Sequence, residues 1–119
     1  MASKAEAKQL AAELLRIVPI NQTMQSHHST RMGEAYDEVY AQLQVKGLAI
    51  WASSAEMPDE ITPHFVMLMA YNKKDLVGTS ESQYQRIMIE AGVDGEKSIG
   101  NIRNLINPAF VTEEFETDY

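Results

Sequence analysis

The stretch "MPDEITPHFVMLMAYNKKDLVG", residues 57–78, decides the fold. It opens on Pro-Asp-Glu, which suits the first turn of a helix. Proline fits the first helical position, where its missing N–H has no partner to lose, and Asp59 and Glu60 sit at the positive end of the helix dipole. The run then carries Ile61, Phe65, Val66, Leu68, Met69 and Leu76, the most apolar surface in the chain, and Gly78 closes it. This spacing predicts a central helix over 58–76. Pro63 falls near its first turn and need not break it.

Upstream lies "LQVKGLAIWASSAEM", residues 43–57, where one helix ends and the next is prepared. Met32, Tyr36, Val39, Tyr40 and Leu43 recur at three- and four-residue steps and predict a helix over 30–46, with Ser29 or Thr30 as its cap. Gly47 is placed for the left-handed residue that terminates it. "LAIW" alternates too briefly to define a strand and reads either as one arm of a small hairpin or as an extended connection. Trp51, the single tryptophan, stands on that connection. It is either a lid on the helix bundle or an anchor against a neighbouring subunit, since Trp is enriched at interface hot spots.

At the N-terminal side, Ser3 and Glu6 match a capping box, and Leu10, Leu14 and Ile17, with Ala7 and Ala11 beside them, predict the core face of a helix over 5–18, stopped by Pro19. "INQTMQSHHST", residues 20–30, is polar and without period. On the other side, Ser80 and Gln83 form a second capping box ahead of a helix over 81–91, whose core face is Tyr84, Ile87, Met88 and Ala91. "NIRNLINPAF", residues 101–110, reads either as a short helix or as a strand ending at Pro108. The fold class is therefore mainly α: a small bundle of about four helices, with minor strands as an option at 48–51 and near 102–106. One helical domain over 1–108 is followed by an extended acidic–aromatic tail over 109–119, in which Glu113, Glu114, Glu116 and Asp118 alternate with Phe110, Val111, Phe115 and Tyr119.

Charge and composition narrow the function. Ten Lys and Arg stand against seventeen Asp and Glu, a net charge of -7, so a basic nucleic-acid footprint is absent and an anionic membrane would repel the surface on average. No cysteine is present, which excludes disulfides, thiolate metal sites and a cysteine nucleophile. The apolar run "HFVMLMAY" is too short to span a bilayer. The N-terminal sequence carries no targeting signal, and a soluble protein made in the cytoplasm is expected.

Motifs for catalysis are weak. His27 and His28 are adjacent, so their side chains are not expected to converge, and His64 belongs to no full set of ligands at helical spacing with a carboxylate in register. "VDGEKSIG", residues 93–100, does not match the spacing of a phosphate-binding loop. The paired carboxylates Asp59–Glu60 and Glu113–Glu114 are explained as helix-start and tail charges. No enzyme, cofactor or metal is expected, and Trp51 and the tail residues are the candidate partner-binding groups.

The order "AYDEVYAQLQVKGLAIW" (35–51), "MPDEITPHFVMLMAYNKKDLVG" (57–78), "IRNLINPAF" (102–110) and an acidic end resembles the head–tail adaptor, or connector, proteins of tailed bacteriophages. Residues up to Ser29 match no motif of that family. The resemblance implies a structural virion protein at the head–tail junction. It would form a ring, of twelve copies by the symmetry of the family, beneath the portal protein after packaging and would seat a downstream tail protein. Packaged DNA would pass nearby without specific binding, and no membrane is involved. By position, the portal-reaching extension corresponds to Phe110, Val111, Phe115 and Tyr119. Two further classes remain open: a small phage or bacterial regulatory protein acting by protein–protein binding, and a small enzyme using His27, His28 or His64.

Overall fold

The structure, a computed structural model, describes residues 2–19, 22–52, 55–75 and 80–106. Among them are five α-helices: α1 (Lys4–Leu14), α2 (Ser26–Val45), α3 (Thr62–Lys73), α4 (Glu81–Ala91) and α5 (Glu96–Ile106), with a 3-10 turn at Val93–Gly95 before the last. The fold is a helical bundle organised around α3. Helices α1 and α2 pack on one another and on α3, while α4 and α5 pack on one another and on α3. A helix that is apolar on every side belongs in the middle of a bundle. Phe65, Val66, Leu68, Met69 and Ala70 are all buried, and the side of α3 left partly open is the line of Pro63, Met67 and Tyr71.

The helix ends follow backbone chemistry. Ser3 Oγ accepts from the Glu6 N–H while the Glu6 carboxylate accepts from the Ser3 N–H, so the first capping box closes in both directions. The second closes in one direction only. Ser80 accepts from the Gln83 N–H, but the Gln83 side chain donates to the Leu14 carbonyl and ties α4 to the end of α1. At the end of α2, Gly47 adopts φ +73°, its N–H donates to the Gln44 carbonyl, and the Leu48 N–H donates to the Leu43 carbonyl. This is the Schellman arrangement, completed by burial of both leucines. Gly95 is also left-handed, and a methyl group there would come within 2.5 Å of Leu68 Cδ2, so the turn into α5 lies directly on the central helix.

Several boundaries differ from the periodicity. Helix α1 stops at Leu14 rather than Val18, because Arg16 takes φ +60° and the Arg16 and Ile17 N–H groups donate back to the Glu13 and Ala12 carbonyls. That is a second Schellman end, built on a residue with a Cβ. Helix α2 begins at Ser26, four residues earlier than expected. Ser29 and Thr30 are thus internal and not caps, and the Thr30 hydroxyl is satisfied by the Ser26 carbonyl one turn back. Helix α3 begins at Thr62, after a turn in which the Pro58 carbonyl accepts from the Ile61 and Thr62 N–H groups. Neither optional strand forms: residues 48–51 are an irregular connection in which the Ile50 N–H turns back to the Leu48 carbonyl, and residues 102–106 lie inside α5. The β pairing among the described residues is an isolated antiparallel bridge between Ala2 and Met57, which ties the N-terminal end to the lead-in of α3. Leu76, Gly78 and the segment after 106 fall outside the described residues.

Two adjacent lysines end α3 inside the protein. Lys73 Nζ lies 3.1 Å from a Glu38 carboxylate oxygen on α2. Lys74 Nζ lies 3.8 Å from the centre of the Tyr71 ring and donates to the Tyr71 carbonyl. Asp75 next to it accepts a hydrogen bond from Tyr84, which pushes the Tyr84 phenol above its ordinary pKa and joins α3 to α4.

Candidate partner-binding surfaces

Trp51 lies in the protein's own core, 8% exposed. Its indole meets Tyr40 and Phe65 edge-on, with ring centres 5.6 Å apart in each case, and Tyr36 stands 4.9 Å from Phe65 in the same cluster. Indole Nε1 donates to the Tyr36 hydroxyl over 3.3 Å, and the Tyr40 hydroxyl donates to the Trp51 carbonyl. Both polar ends of the aromatic cluster are therefore satisfied inside the monomer, as buried Tyr and Trp require. Of the two readings of Trp51, lid and anchor, this geometry is that of a lid. Phe110, Val111, Phe115 and Tyr119 lie outside the described residues.

The N-terminal helix departs most from its expected packing. Its fully buried residues are Ala7, Ala11 and Ala12, followed by Leu15 at its end, while Leu14 and Ile17 are only partly buried against the core and Leu10 is exposed. Small side chains let α1 approach α2 and α3 closely, and this turns Leu10, 42% exposed, and Leu14 toward a different place. There they line a groove of about 560 Å³ between α1, α3 and α4. Pro63, Val66 and Met67 of α3 form its apolar floor, and Glu6, Asp59, Arg86 and Glu90 stand in its lining. Arg86 Nε is 3.3 Å from a Glu90 carboxylate oxygen one turn along α4. The groove presents apolar contact area and an excess of negative charge. Sequence reasoning missed it because leucines and alanines lie side by side on α1, and only packing decides how deeply each is buried.

Other apolar side chains are exposed at separate places. Val45, 89% exposed, and Ile50 lie where α2 ends. Ile89 and Val93, the latter 75% exposed, lie where α4 ends. One lies on the α1–α2 pair and the other on the α4–α5 pair, both packed on α3.

The histidines stand apart from both the groove and the aromatic cluster. The His27 and His28 rings lie 4.1 Å apart, nearer than their adjacency suggested, at the first turn of α2. Desolvation, and then the neighbouring His27, lower the His28 pKa below its ordinary value. His64, in the first turn of α3, is lowered by desolvation. Among the described residues, no group of three or more His, Cys, Asp or Glu side chains could hold a metal ion. No helix among them is long and apolar enough to cross a membrane.

In comparisons with known proteins, the chain matches no family model, no curated protein and no solved structure at a significant level.

Proposed function

We propose that this protein is a structural adaptor of a tailed bacteriophage. It would assemble as a ring beneath the portal at the head–tail junction of the virion and provide the seat for a tail protein. The observation that carries the reading is the placement of exposed apolar groups at two unlike sites on one small body, Val45 with Ile50 and Ile89 with Val93. A ring closes through heterologous contacts, in which one patch of each subunit meets a different patch of its neighbour. The resemblance over 35–51, 57–78 and 102–119 supports the same reading. The pattern falls on α2 with its glycine end and Trp51 lid, on the Pro-Asp-Glu turn with α3, and, beyond α4, on the end of α5 before the acidic–aromatic segment. In this reading Phe110, Val111, Phe115 and Tyr119 reach the portal, and the acidic surface keeps the passing DNA from being gripped.

Mixing the purified chain with portal rings of its own phage tests the reading, by sedimentation and electron microscopy. The expected result is a ring of this protein on the portal, with docking weakened and helicity unchanged in a chain ending at Pro108. Equal docking by the shortened chain overturns the role of the tail. A stable dimer without portal affinity overturns the adaptor and favours a small regulatory protein.

A further inference from the structure

We propose that the groove between α1, α3 and α4 is a docking site for an amphipathic segment of a partner protein that carries Lys or Arg beside its apolar side chains. The proposal uses the groove alone and does not depend on the adaptor reading. Leu10 and Leu14 are a regular helical stripe, the kind of surface a bundle normally buries, yet the alanines of α1 are the fully buried residues, Leu14 is only partly buried against the core, and both leucines line the groove. Together with Val66 and Met67 they offer apolar contact along two helices, α1 and α3, the setting in which an amphipathic helix lays its apolar face. Met67 adds an adaptable side chain to that floor.

Charge selects the occupant. Three carboxylates, Glu6, Asp59 and Glu90, line the groove against one guanidinium, Arg86, and Arg86 is already paired with Glu90. A segment with acidic flanks would be repelled, which excludes the chain's own 111–119, where Glu113, Glu114, Glu116 and Asp118 accompany the aromatics. A basic flank is attracted by the same field. A small polar ligand is a poorer match. The groups that would orient one are turned to neighbours instead: Glu6 accepts from Ser3, and Arg86 donates to Glu90.

The test is titration of the full chain into a labelled amphipathic peptide of leucine and lysine, read by fluorescence anisotropy, beside a peptide with the same leucine stripe and glutamate in place of lysine. The leucine–lysine peptide should bind saturably, more weakly as salt rises, and in preference to its acidic twin. Leu10→Lys should weaken binding by about tenfold or more. Val45→Lys makes the same charge change outside the groove and should leave binding unaltered, which separates docking from general attraction to an acidic protein. Leu10 is exposed, so the variant is expected to fold, and Glu90→Gln provides a second variant that should lower affinity without touching the apolar floor. Absence of saturable binding, equal affinity for the two peptides, or equal weakening by Leu10→Lys and Val45→Lys would overturn the proposal.

Discussion

The Trp51 indole N–H donates to the Tyr36 hydroxyl over 3.3 Å, joining the connection after α2 back to the middle of that helix. The bond gives a connection of little regular structure a fixed seat on the core. Trp51→Ala should therefore lower the stability of the isolated monomer by about 3–5 kcal/mol, the range for removing a buried aromatic. Trp51→Phe and Tyr36→Phe should each cost less, with a coupling in the double variant of about 1 kcal/mol. Urea unfolding of the parent and the four variants checks this. A Trp51→Ala variant as stable as the parent would show that the lid contributes nothing.

Arg16 holds the left-handed position at the end of α1, where a Cβ is unfavourable. Arg16→Gly should raise stability by about 0.5–1 kcal/mol, and Arg16→Val should lower it by at least as much. A shift of the thermal midpoint in opposite directions for the two variants is the expected signature.

Glu38 is the carboxylate beside the Lys73 ammonium, whose side chain is only 7% exposed. Glu38→Ala leaves that ammonium without its partner and should destabilise by about 1–3 kcal/mol. Lys73→Met removes the charge along with the need for a partner and should fall within about 1 kcal/mol of the parent. Denaturant midpoints that reverse this order would contradict the assigned pairing.

Stability should also decline in mild acid. His28 and His64 are both lowered from 6.5, so between their folded pKa values and 6.5 the unfolded chain binds more protons than the folded one. Their neutral forms contribute fully above about pH 6.5, and that contribution is lost as pH falls through the folded values. The thermal midpoint should drop over that window, and the drop should be shallower in His64→Gln. An unchanged profile in the variant would remove His64 from the effect.

Local chemistry decided by itself the Ser3–Glu6 cap, the Ser80 cap, the glycine end at Gly47 and the burial of the apolar face of α3. Each depends on residues within one turn, or on an apolar run with nowhere to go but inside. Sequence periodicity failed where two faces competed or where no face was apolar. On α1 it put Leu10, Leu14 and Ile17 on the core face with Ala7 and Ala11, but the alanines are fully buried, Leu14 and Ile17 only partly, and Leu10 is exposed on the groove. At 26–29 the polar residues carry no period, and α2 extends through them because its later turns are held by the core. Whether Trp51 faced inward was likewise undetermined by its neighbours in sequence, since either role uses the same indole. Tertiary structure decided it through Tyr36, Tyr40 and Phe65, which lie far along the chain or on another helix and close the space around it only once the bundle has formed.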